Sequence, residues 1–136
     1  MLFRSRGALD VIVANQRGPL LIYRNTVEPG RHWIQFELEP AVASGFLPAV
    51  ASAKAGSRTQ THRSPIGSRV EVYWNRKVQA QEVAAASGFS AQSQRRVHYG
   101  LGTAASVDRV VIRWPSGRMQ TIEKPAVDRL HRVKED

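Results

Sequence analysis

Val107-Asp108-Arg109-Val110-Val111-Ile112-Arg113-Trp114-Pro115-Ser116-Gly117-Arg118-Met119-Gln120-Thr121-Ile122 decides the fold class. Its two halves alternate as strands do. On the first half Val110, Ile112 and Trp114 fall on one face, and Val111 and Arg113 on the other. Pro115 pre-sets the backbone angle wanted at the second position of a type I turn. Gly117 then closes the turn without steric cost. The stretch predicts a β-hairpin. It carries no obvious chemistry of its own.

The same period recurs outward from it. Arg69 to Trp74 places Val70, Val72 and Trp74 on one face, and Lys77 to Val83 runs back after Asn75-Arg76. Asn suits a left-handed turn position, but Arg at the second one costs more than Gly, so this tip should be slightly strained or use a longer loop. Arg96 to Tyr99 reads as a short strand stopped by Gly100-Leu101-Gly102, and Asp128 to Val133 as the last strand. Towards the N-terminus, His32 to Leu38 sets Ile34, Phe36 and Leu38 against Trp33, Gln35 and Glu37 on the opposite face. Gly7 to Asn15 and Leu20 to Asn25 read as one more antiparallel hairpin, which must lean on something, because a lone hairpin is marginally stable. Many short strands, frequent turn signals and no helical period predict an all-β chain. The expected architecture is a small antiparallel β-sandwich or barrel-like domain.

Composition narrows the function classes. The chain has 136 residues, 42% hydrophobic and 23% charged, which suits one domain with a real core. It contains no Cys, so disulfides and thiolate metal sites are excluded. No apolar run reaches the length of about 20 residues that a membrane span needs. Met1 to Arg6 meets a charge too soon to read as a signal peptide. The formal charge of +9 raises nucleic-acid binding. The excess is spread thinly, however, with Arg76-Lys77 and Arg95-Arg96 the local pairs that stand out, and no aromatic platform is interleaved with it. A basic surface with no nucleic-acid partner is the expectation.

Two stretches break the strand pattern. Residues 40–64 are rich in small residues and carry Pro40 and Pro48, which predicts a long surface loop. Residues 84–94 form a polar connection with one aromatic, Phe89. A Ser87–His98–Asp108 triad can be assembled on paper, but no nucleophile elbow or oxyanion loop accompanies it. His32, His62, His98 and His131 show no metal-ligand spacing. The expectation is a protein with no catalytic residues, no metal and no cofactor. His98 reads as a solvent-facing or hydrogen-bonded strand residue. Trp33, Trp74 and Trp114 are expected to pack in the core. A sugar-stacking platform would need at least one of them on an exposed face.

Pro65-Ile66-Gly67-Ser68-Arg69-Val70, Ser87-Gly88-Phe89, His98-Tyr99-Gly100-Leu101-Gly102 and Asp108-Arg109-Val110 through Trp114-Pro115-Ser116-Gly117 occur in the order and approximate spacing of the ASPIC/UnbV domain, which the chain resembles. That domain is the C-terminal module of proteins similar to cartilage acidic protein and of related bacterial proteins. Gly7 to Asn15 and Leu21 to Asn25 resemble the end of an FG-GAP/VCBS-type repeat, the blade unit of a β-propeller. The resemblance implies two parts: a partial repeat over 1–30, as a hairpin left over from a propeller blade, and an ASPIC/UnbV-like β domain over 31–136 with its long loop at about 40–64. It also implies a C-terminal piece of a longer protein, secreted or in the cell envelope. Such repeats can hold calcium, but Asp10 is here only a remnant of that loop and too few oxygen ligands surround it, so no calcium site is expected in this chain. The expected role is a non-catalytic interaction or adhesion module, packed on a propeller and binding a protein or glycan. Loop 87–95 is the expected contact region, with Ser87, Gly88, Phe89, Gln92, Arg95 and His98 as binding residues. A carbohydrate-binding sandwich is the alternative.

Overall fold

A computed structural model describes residues 8–26, 28–41, 64–86 and 94–136. Among the described residues nine strands follow in order: β1 Val11–Val13, β2 Leu21–Tyr23, β3 His32–Glu39, β4 Arg69–Trp74, β5 Lys77–Glu82, β6 Val97–Gly102, β7 Arg109–Arg113, β8 Met119–Glu123 and β9 Arg129–Lys134. They form a two-stranded ribbon β1-β2, a three-stranded sheet β6-β3-β9 and a four-stranded sheet β5-β4-β7-β8. The larger two sheets face each other across one core. Ile34, Phe36 and Leu38 of β3, with Val97, Tyr99 and Leu101 of β6, meet Val70, Val72 and Trp74 of β4 and Val110 and Ile112 of β7. The predicted all-β class and inward faces are observed.

Both predicted turns have a definite form. Asn75 and Arg76 sit at φ 45° and 61°, and Trp74 pairs directly with Lys77. This is a two-residue turn with both residues left-handed, whose twist matches the strands it joins. The tip therefore takes the strained option rather than the longer loop. At the other hairpin, Gly117 N–H donates to the Trp114 carbonyl (2.9 Å), Trp114 N–H donates to the Arg118 carbonyl (2.9 Å), and Gly117 has φ 89°. That geometry is a type I turn followed by a left-handed glycine, the three-residue hairpin loop. Trp114, only 4% exposed, satisfies its indole N–H on Gln120 Oε1 at 3.1 Å.

Two expectations are corrected. The strand at Val97 does not stop at Tyr99 but continues through Gly102. Trp33 pairs with Gly100 and His32 with Gly102, so Leu101 is the extra residue of a β-bulge and turns into the core. Gly102, at φ 64°, absorbs the bend. The sandwich is also not wholly antiparallel, because β9 runs parallel to β3 from Ile34↔Arg129 to Glu39↔Lys134. Alternation has the same period in both pairings and cannot distinguish them. Asp128 fixes the start of this parallel pair. Its N–H donates to the Trp33 carbonyl (2.7 Å), its Oδ1 accepts the Trp33 N–H (3.2 Å), and its Oδ2 meets His32 Nδ1 at 2.6 Å.

Tyr99 ties the two sheets together. It is fully buried, and its hydroxyl donates to the Val70 carbonyl at 2.6 Å. Burial drives its ionisation well above the ordinary tyrosine value, so it stays a donor. We predict that Tyr99→Phe, which removes this buried hydrogen bond between the sheets, destabilises the fold by about 0.5–1.5 kcal/mol in denaturant titrations. An unchanged midpoint would show that water replaces the phenol. Arg76→Gly should act in the other direction. Release of a left-handed side chain is worth about 1–2 kcal/mol, less about 0.5–1 kcal/mol of added chain entropy, and so should raise the melting temperature slightly.

Candidate functional site

The outer face of the three-stranded sheet holds an aromatic and polar cluster. Ile34 and Phe36 point into the core, so alternation sends Trp33, Gln35 and Glu37 outward. Across the antiparallel pair, Trp33 stands opposite Gly100 and Gln35 opposite His98. Glycine leaves the room beside the indole open: a Cβ built at Gly100 would meet nothing within 4 Å among the described residues. The half-buried Trp33 ring stacks with the His98 imidazole, centroids 6.0 Å apart and planes 21° from parallel. Gln35 Nε2 lies 3.0 Å from His98 Nδ1. Glu37 sits at the far end of the row and accepts from two arginines, Arg96 (3.3 Å) and Arg132 (3.2 Å).

His98 is held neutral, because burial lowers its pKa from the ordinary 6.5. With Gln35 Nε2 donating, Nδ1 is the acceptor and the ring proton resides on Nε2. The cluster thus offers a ring face, an outward donor and a carboxylate flanked by guanidinium groups.

The sequence-predicted site residues divide three ways. Ser87, Gly88, Phe89 and Gln92 lie outside the described residues. Arg95 is exposed and, with Val83, Ala84, Arg96 and Val97, lines a shallow groove of about 250 Å³ where the chain passes from β5 to β6. His98 belongs to the Trp33 cluster, half-buried and hydrogen-bonded. Of the residues assigned to one contact region, Arg95 and His98 are therefore placed in different surroundings. The paper triad is not assembled in the described part, since the hydrogen-bonding partner of the His98 ring is Gln35 rather than Asp108. Asp10 is 8% exposed and its Oδ1 accepts the Asn25 N–H at 2.9 Å, which closes the β1–β2 ribbon. Among the described residues no group of acidic and histidine side chains is arranged to hold a metal, and no helix is long and apolar enough to cross a membrane.

Trp33 departs from its expected place. Trp74 and Trp114 are core residues at 8% and 4% exposure, whereas Trp33 lies on the outer face. The signal was present in the alternation of 33–37, but residue type suggested burial and outweighed it.

His98, Tyr99 and Gly100, which contribute to this face and to its tie with the other sheet, follow one another on β6. The His98-Tyr99-Gly100-Leu101-Gly102 run supplies the ring partner, the sheet tie, the open glycine and the bulge. The family model described as ASPIC and UnbV matches residues 58–136. The chain belongs to this family. The ASPIC and UnbV match covers β4 to β9, and with them both glycine-bearing motifs, while Trp33 and Gln35 lie on β3 outside it. This family is not a known enzyme family. No curated protein matches the chain.

The lowered His98 pKa has a definite sign in stability. Between its folded value and the ordinary 6.5, the unfolded chain binds the extra proton, so stability rises with pH across that window. We expect the fold to weaken as pH drops through 6.5, until His98 itself protonates and its Nδ1 can no longer accept from Gln35. His98→Gln should flatten that slope in chemical denaturation between about pH 7.5 and about pH 5. Parallel slopes in the two proteins would contradict it.

Proposed function

We propose that the chain is a non-catalytic interaction module of a larger, propeller-containing protein, attached through its β1–β2 ribbon. One observation supports this reading. The ribbon presents Val11 (55% exposed), Leu20 (59%), Ile22 (54%) and Tyr23 (58%) to solvent. Its pairing runs Val11↔Tyr23, Ile12↔Ile22 and Val13↔Leu21, with no third strand on either edge among the described residues. Apolar ribbons with open edges pair readily with further strands, and exposed patches of this kind mark contact surfaces. The likeness of 7–15 and 21–25 to a propeller blade names the class of sheet that would complete it. In that arrangement the ribbon anchors the module, and the sandwich carries its surfaces outward for a protein or glycan partner.

Amide hydrogen exchange tests this in two samples. In the isolated chain Leu21, Ile22 and Tyr23 should exchange fast. In the assembled protein taken from its source they should be protected as strongly as Ile34 and Phe36 of β3. Fast exchange in both samples would remove the attachment role.

A further inference from the structure

The Trp33 face holds a polar group that the sandwich does not need. Gln35 is 5% exposed although it points away from the core between the sheets. One end of its amide is spent on His98 Nδ1. The other end makes no hydrogen bond among the described residues and is not sealed from the surface. An amide end that reaches the surface without a protein partner is open to a hydroxyl group of a ligand. Beside it lie the Trp33 ring, the space left open by Gly100, and the outward edge of the His98 ring.

We infer that the outer face of β6-β3-β9 is a glycan-binding site, with one pyranose ring seated on Trp33 beside Gly100. The inference deepens the interaction role proposed above by naming a ligand class for a second surface, separate from the β1–β2 ribbon. A pyranose presents a face of axial C–H groups, weakly positive, to the negative face of the indole quadrupole. Its ring hydroxyls are at once donors and acceptors. The open Gln35 amide end can accept from one hydroxyl, and the His98 Nε2–H can donate to its neighbour. This pairing of one stacked ring with a few fixed polar groups is the usual make-up of a small-molecule site. The Glu37 carboxylate, held between Arg96 and Arg132, extends the polar row towards the next sugar along a chain. Gly100 matters as much as Trp33. A side chain there would stand directly across the ladder from the indole and occupy the place of the sugar.

Three oligosaccharide probes of equal length test the site: cellohexaose, chitohexaose and maltohexaose. Wild-type protein should bind at least one, shifting Trp emission and melting temperature together. Trp33→Ala should weaken that binding about tenfold or abolish it, and Trp33→Phe should retain most of it, because a smaller ring still stacks. Gly100→Val should also block binding while the ribbon amides behave as in wild type. Since Trp74 and Trp114 are buried at 8% and 4%, a binding-induced emission change that survives in Trp33→Phe would place the sugar elsewhere and overturn the assignment. So would the absence of binding to all three probes. Either failure leaves the ribbon's hydrogen-exchange result standing, and the loss of that result leaves the sugar titration standing. If Trp33→Ala does not fold, Gly100→Val and the wild-type titration decide alone.

Discussion

A buried phenol ties the two halves of the sandwich together. Sheets that face each other across side chains are held by contact, and contact alone tolerates sliding. Tyr99 removes that freedom, because its hydroxyl reaches from β6 into the β4–β5 ladder and bonds the Val70 carbonyl at 2.6 Å. A second tie lies beside it, where Gln81 Nε2 donates to the His98 carbonyl at 2.6 Å. Together they bind β6 to β4 and β5 at consecutive positions, and so fix which residues of β6 face in and which face out. The inward set is Val97, Tyr99 and Leu101. The outward set is His98 and Gly100. The geometry of the Trp33 cluster thus depends on a bond made on the other side of the same strand.

The inward faces were legible because strand alternation is local. Val70, Val72 and Trp74, or Ile34, Phe36 and Leu38, announce their side by period alone, and the core consists of these residues. The Pro115–Gly117 turn was legible because its glycine stands at the left-handed position, φ 89°, that the loop demands. What alternation cannot encode is long-range pairing. The parallel registration of β9 on β3 depends on Asp128 clasping Trp33 and His32, residues about ninety-five positions away, and no window of sequence contains both. The bulge at Leu101 was hidden for a related reason. Two glycines around one leucine read as the end of a strand, and only the partner strand reveals that pairing resumes beyond it.

The candidate site was less legible than the fold. Sequence reasoning placed the contact region in the 87–95 connection because Phe89, Gln92 and Arg95 combine an anchor with adaptable polar groups. Of these, Arg95 can be located, in the groove beside Val83 and Val97. His98 was selected from a motif and treated as part of the same region, yet its ring meets Trp33 and Gln35 from a strand 63 residues earlier in the chain. Charge was equally uninformative. On the outer face of the four-stranded sheet, Arg69 and Arg113 stand directly opposite each other, a repulsive pairing in isolation. Glu71 lies beside both, at 3.0 Å from Arg69 and 3.7 Å from Arg113, and takes a further hydrogen bond from Tyr73 at 2.8 Å. The Tyr73 and Arg69 bonds hold its carboxyl below the usual glutamate value. With Glu82 opposite Arg69 and Glu123 opposite Arg109, three carboxylates balance the three arginines of that face, so the net +9 does not translate into a basic binding surface there.

The two outer faces therefore differ in kind, and the difference bears on where a ligand belongs. On β4 and β7 the buried polar group, Glu71, is satisfied by neighbours on its own sheet, and Arg109 spreads over the Tyr73 ring at 4.4 Å. Its bonds close within the protein. On β3 and β6 the buried polar group, Gln35, shares one bond with His98 and keeps one amide end open, beneath an indole that could have been in the core and beside a glycine that leaves space. A valine or threonine at 35 would cost less to cover, since burying an amide costs more than burying a methyl. Glycine in a strand interior is likewise a loss of about 0.5–1 kcal/mol against alanine. The outer face of β3 and β6 thus keeps an open amide end and a glycine gap beside an aromatic ring, the features on which the proposed sugar contact rests.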